Sequence, residues 1–144
     1  MTGADLELFL REKIPLTVAM DVRVLTCDDT VLALTAPLAP NRNHLQTAFG
    51  GSLHALATLS GYGLLWRLLD DPSAHIVIRE SHIRYDSPVT GDLCAVCYTP
   101  AAAELERFRR DFVRKSKARL ELESTIESGG KIAVTFRGVF VAVR

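Results

Sequence analysis

From Phe49 to Trp66 the chain runs 18 residues without a lysine, arginine, aspartate or glutamate. A helix apolar on every side belongs either in a bilayer or in the middle of a globular fold. The run is near the lower length limit for crossing a membrane, and Gly50, Gly51, Ser52, Ser60, Gly61 and Gly63 fill it with small residues. The segments on both sides alternate apolar and polar residues as a water-exposed fold does. The reading is therefore a buried central helix with no membrane partner, and everything else in the chain must supply its walls.

Those walls read as strands. Residues 5 to 13, DLELFLREK, carry Leu6, Phe9 and Leu10 at helical spacing, and Pro15 ends that short helix. MDVRVLTC and TVLALTAPL are extended runs around Asp28-Asp29, which predicts a hairpin. HIVIRESHIRY and DLCAVCYT predict a second pair around the turn Ser87 to Gly91. From 115 to 126, Lys115, Lys117, Arg119, Glu121, Glu123 and Thr125 alternate with Ser116, Ala118, Leu120, Leu122, Ser124 and Ile126, which gives one wet and one buried face. Glu127 to Gly130 turns into the last strand, IAVTFRGVFVAV, and a helical insert is expected at about 101 to 112. The expectation is a single α+β domain over residues 1–144, with an antiparallel sheet around one long helix.

Length and charge narrow the function classes. A chain of 144 residues buries enough surface to fold without disulfide or metal. Lysine plus arginine equal aspartate plus glutamate at 17 each, which argues against nucleic acid as a partner. Cys27, Cys94 and Cys97 sit in apolar runs with no signal-peptide pattern before them, so a reducing cytoplasm is the expected location.

The layout resembles the hotdog fold. Hotdog thioesterases carry a stretch in which an asparagine is followed six residues on by a histidine and Gly-Gly, then by an acid seven positions after the second glycine. Here Asn43, Gly50 and Gly51 fit, the histidine position holds Phe49, and the acid position holds Thr58. NRNHLQTAFGGSL and SHIRYDSPVTGD are similar to a narrower group, the thioesterase-like domain found in the C-terminal half of some acetyltransferase-like proteins, and this likeness covers nearly the whole chain. That group includes malonyl-acyl-carrier-protein decarboxylases.

The resemblance implies acyl thioesters, on coenzyme A or acyl carrier protein, bound at the start of the central helix between two subunits. It implies a homodimer or a dimer of dimers, and no cofactor or metal. Physics supports the location: the first N–H groups of a helix have no internal partners, its dipole is positive there, and glycine lets a ligand reach the backbone. Phe49, Gly50, Gly51 and His82, the last on the interface strand that the resemblance places beside the pocket from the partner subunit, are the candidate binding residues. Asn43 and Thr58 are the candidate catalytic residues. Alternatively, the glycine pair serves only to pack against a strand. A threonine is no base near neutral pH, so Thr58 weakens hydrolysis. Three readings stay open: thioesterase-like hydrolysis, decarboxylation of a malonyl thioester, which needs oxyanion stabilisation but no base to start it, and a non-catalytic thioester-binding module.

Other motifs have plainer readings. Cys94 and Cys97 face opposite sides of a strand and lack a second pair for zinc, so they read as structural. Ser52 reads as a helix cap, His54 as a hydrogen-bonded core histidine, and His44 as a loop residue beside Asn43. The basic stretch Arg107 to Arg119 reads as a solvated face, with contact to coenzyme A phosphates or an acidic carrier as the functional alternative.

Overall fold

The computed structural model describes all 144 residues. The first helix, α1 (Gly3–Lys13), starts on a capping box in which Asp5 N donates to Thr2 Oγ1 (3.1 Å) and Thr2 N donates to Asp5 Oδ2 (2.8 Å). Leu6 and Leu10, one turn apart, face inward. Pro15 ends α1 as expected but also opens a short helix, α2 (Leu16–Met20), that the sequence pattern did not reveal. Met20 therefore belongs to α2 and not to the first strand; Asp21, in the left-handed region at φ 57°, closes the helix.

The hairpin across Asp28-Asp29 forms between β1 (Arg23–Cys27) and β2 (Val31–Ala36). The Asp28 carboxylate accepts from the backbone N–H groups of Thr30 and Val31 at 2.8 and 3.0 Å, which fixes the turn. A single turn of 3₁₀ helix at Ala39–Asn41 follows, then the central helix α3 (Gly50–Leu69). The remaining elements are β3 (His75–Tyr85), β4 (Leu93–Tyr98), α4 (Ala102–Lys115), β5 (Lys117–Ser128) and β6 (Lys131–Val143).

All six strands make one antiparallel sheet in the order β1-β2-β4-β5-β6-β3. Five of them, β2 to β6, pack against α3. Leu53, Leu56, Ala57, Leu64 and Leu65 of the helix meet Leu34, Ala95, Leu122, Ile126, Phe136 and Phe140 in one buried cluster. No helix is long and apolar enough to cross a membrane.

Two expectations are corrected. The second hairpin does not form: β3 pairs with β6, while β4 sits between β2 and β5. The connecting segment is drawn across the end of the sheet. Asp86 N donates to Ala133 O on β6 (2.8 Å), Val89 is buried and accepts from Ala48 N (2.8 Å), and Thr90 N donates to Ser128 Oγ (3.3 Å). The long strand begins at Lys117, because α4 continues through Lys115 and Ser116 ends it at φ 55°. The insert was expected to end at 112; its last turn absorbs two residues whose polar-apolar alternation looks like strand.

That insert has a structural task. β4 pairs with β5 only from Ala95 to Cys97, and α4 closes the opening beyond, placing Phe108 and Phe112 in the common core. Arg144 stacks its guanidinium 4.7 Å from the Phe112 ring centre and donates to Asp71, whose carboxyl is held down to about 2 by the Ser73 hydroxyl and then by Arg144. The chain's last residue is thereby tied to the α3–β3 turn.

Close approach of helix to sheet depends on Gly61. A Cβ there would lie 2.7 Å from the ring of fully buried Phe140. Overpacking of this kind costs about 1–3 kcal/mol. Gly61→Ala is therefore expected to lower the melting temperature in a thermal unfolding scan, whereas Gly91→Ala, whose Cβ meets nothing within 4 Å, leaves it unchanged.

Candidate active site

The amino end of α3 is uncapped. Phe49 occupies the cap position in extended conformation and offers no side-chain acceptor, so Ser52 is not the cap either. The first bond of the helix runs from Leu53 N to Phe49 O at 3.1 Å. Before it, Ala48 N is spent on Val89 O and Phe49 N on Asn41 O, at 2.8 and 2.7 Å. The N–H groups of Gly50, Gly51 and Ser52 are left without an acceptor in the chain, at the positive end of a 20-residue helix.

The two glycines do different things. Tyr85, from β3, donates its hydroxyl to Gly50 O (3.1 Å) and lays its ring edge 3.6 Å from where a Gly50 Cβ would stand. The plain packing alternative thus holds for one contact of Gly50. Gly51 is exposed, and a Cβ on it would collide with the Phe49 ring, which folds back over the helix start while remaining 56% exposed. Phe49 is a partly exposed apolar cover on that end.

Asn43 organises the approach. Its Oδ1 accepts from Leu45 N (2.9 Å) and Thr47 N (3.2 Å), and its Nδ2 donates to Thr47 Oγ1 (2.9 Å). Gln46 takes the left-handed conformation at φ 63° to close the loop, and Arg42 and Ala48 pair across its base. One amide hydrogen of Asn43 is left over. His44 is exposed in the same loop and makes no side-chain bond.

At about 100° per residue, Gly50, His54, Thr58 and Gly51 fall within one arc of about 100° on α3. Thr58 is half-buried, and no hydrogen bond ties its hydroxyl down. His54, read from sequence as a core histidine, is hydrogen-bonded but only half-buried: Nε2 lies 3.1 Å from Ser81 Oγ on β3, and the ring tilts over Phe136 at 5.7 Å.

Within one protomer, His82 is separated from this group. A bulge at Arg79 lets Ile78 pair with Phe140 and Glu80 with Val139, so the parity of β3 reverses there. Beyond the bulge Ser81, Ile83 and Tyr85 pair with Gly138, Phe136 and Val134 on the face toward α3, while His82 pairs with Arg137 on the other face. Strict alternation from Ile76 and Ile78 would have turned His82 inward. Ser81 and Tyr85 were not singled out from the sequence; the extra residue at Arg79 gives them a phase that a regular period of two does not report.

Polar groups inside the core are unavailable to a ligand. Ser60 and Ser124 are buried and bond to each other at 2.7 Å, and burial pushes the Cys97 thiol up to about 11. Cys94 is half-buried, raised by desolvation, and no cluster of residues suited to hold a metal ion forms. A concavity of about 1080 Å³ is an open trough between α4 and the outer faces of β4 and β5 that no residue of the candidate site lines. Of the basic stretch, Arg109 donates to Leu68 O (3.0 Å), Lys115 pairs with Asp111 (3.8 Å), and Arg107 and Arg119 border the trough.

Residues 3–144 match the family described as "putative thioesterase (yiiD_Cterm)". The chain belongs to this family. It is 32% identical to a protein of unknown function from Chlorobaculum tepidum, with 99% of this chain and 94% of that one covered at a TM-score of 0.92. It is also 32% identical to a putative thioesterase from Shewanella oneidensis, with 99% and 97% covered at a TM-score of 0.84. A probable thioesterase from Pseudomonas aeruginosa shares the fold at 20% identity, 99% and 96% coverage and a TM-score of 0.84. The architecture is thus the hotdog fold, and the function class is thioesterase-like.

Replacing Asn43 by Ala removes three loop bonds without opening a core cavity. The expected outcome is loss of most thioester turnover with a folded protein and only a modest drop in melting temperature from the lost loop bonds, measured on the same preparation. Gly51→Val, which must push the Phe49 ring aside, should raise KM more than it lowers stability.

Proposed function

We propose that the chain cleaves acyl thioesters, with the carbonyl oxygen accepting hydrogen bonds from the N–H groups of Gly50 and Gly51. The observation that carries this reading is the uncapped start of α3 with three unpartnered donors beside an exposed phenylalanine ring. Donors fixed in place before the reaction stabilise a developing oxyanion by a few kcal/mol each, by analogy with measured oxyanion holes. Asn43 fastens the loop leading to the helix and offers its remaining amide hydrogen to a substrate oxygen. Phe49 covers the acyl group, and Thr58 positions water or substrate from two turns along the helix.

Decarboxylation of a malonyl thioester is the second reading. Its support is the complete lack of aspartate and glutamate in α3, which leaves the arc facing the glycines without a carboxylate base. Loss of CO2 would leave an enolate at the same donors. A panel of acetyl-, octanoyl-, palmitoyl- and malonyl-thioesters, each on coenzyme A and on acyl carrier protein, decides between them. Release of free thiol supports hydrolysis; acetyl thioester without thiol supports decarboxylation; binding without either product leaves a binding module.

Thr58→Asp sharpens the comparison. A carboxylate there should keep or raise thiol release if the native reaction is hydrolysis. It should depress acetyl formation from a malonyl thioester, because two negative charges would share a poorly solvated site.

The proposed protein is a homodimer, or a dimer of dimers, in a reducing cytoplasm. β3 ends the sheet with an unpaired edge 11 residues long, and Val77 and Ile78 are 56% and 39% exposed along it. An edge of that length invites pairing with a second copy. Sedimentation at micromolar concentration should give at least twice the monomer mass; a monomer would overturn this part of the reading.

A further inference from the structure

We propose that His54 is the general base of this site and that Ser81 is the residue that positions it. The inference rests on the hydrolytic reading and names the group that replaces the absent carboxylate. Between Gly50 and Thr58, His54 is the only titratable side chain. It lies one turn beyond Gly50, about 6 Å along the helix axis, on the arc that also holds Gly51 and Thr58. That is a workable distance for a base delivering water to a carbonyl carbon whose oxygen sits on the helix start.

The histidine is held on two sides. Ser81 Oγ lies 3.1 Å from Nε2, and the Phe136 ring supports the imidazole from β6. In the tautomer that donates Nε2–H to Ser81, Nδ1 carries the lone pair and makes no bond within the chain. One ring nitrogen thus fixes the orientation and the other is free to take a proton, the division of labour that a catalytic histidine needs. Ser81 reaches this position only because the bulge at Arg79 turns it toward α3.

The step balances without a further reactant. Nδ1 takes a proton from water as the water oxygen bonds to the thioester carbon, and the carbonyl oxygen becomes an oxyanion on the glycine N–H groups. The intermediate collapses with cleavage of the C–S bond, and His54 returns its proton to the departing thiolate. The products are a carboxylic acid and a free thiol.

The test uses the whole chain and the thioester of the panel, on coenzyme A or acyl carrier protein, that wild type cleaves fastest. His54→Gln keeps a side-chain amide donor but removes the base; kcat is expected to fall about 100-fold or more, with KM and melting temperature little changed. His54→Ala should fall equally and recover on addition of millimolar imidazole. Ser81→Ala should lower kcat without raising KM, and Ser81→Thr should restore it.

Wild-type turnover in His54→Gln, or an inactive His54→Ala that imidazole does not rescue, overturns the assignment while the hydrolytic reading stands. Wild-type protein that releases no thiol from any thioester of the panel, on coenzyme A or on acyl carrier protein, overturns that reading, and the base with it.

Discussion

The architecture depends on burying one helix that has no charged face to give to water. α3 is covered by five strands, and its contact with the sheet is close enough that Gly61 has no room for a methyl group beside Phe140. The hydrophobic gain from that burial scales with the apolar area removed from water. It is obtained along the helix body, from Leu53 to Leu65, and not at the helix start. The unburied amino end is the geometric remainder of this packing, and it is where the unpartnered backbone donors collect.

Three connections keep that end open. The Asn43–Thr47 loop brings the chain in, the buried Val89 carbonyl takes the N–H of Ala48, and Asn41 takes that of Phe49. Each satisfies a donor just before the helix and none satisfies those just inside it. Burial without partners would be costly for such groups, so their exposure under the Phe49 ring is consistent with a place where a polar ligand atom can substitute for water. The Tyr85 hydroxyl on Gly50 O fixes the same turn from the sheet side.

Much of this was legible in the amino-acid order. The uncharged run announced the buried helix, and the glycine pair marked its start as a place where a ligand could reach bare backbone N–H groups, while Asn43 entered only through the family resemblance. The alternation in residues 117–126 gave β5 its two faces, and the two aspartates gave the β1–β2 turn. Local signals sufficed there because each depends on neighbours in sequence: periodicity, turn residues and helix ends. The pairing of β3 was not legible, because the turn Ser87 to Gly91 has hairpin-like composition while its hydrogen bonds go to β6, Ser128 and the loop before α3.

What the sequence by itself determined is the inventory: one apolar helix, six amphipathic or buried strands, a glycine pair at a helix start, and no acid in the helix to act as base. What only the tertiary structure decided is which side chains of HIVIRESHIRY meet that helix. A strand's side chains alternate with a period of two, so one inserted residue exchanges the faces of everything after it. The bulge at Arg79 is set by pairing with β6, where Phe140 and Gly138 must both face the core, and no local property of the strand reports it. That single extra residue sends His82 to the outer face and brings Ser81 against His54.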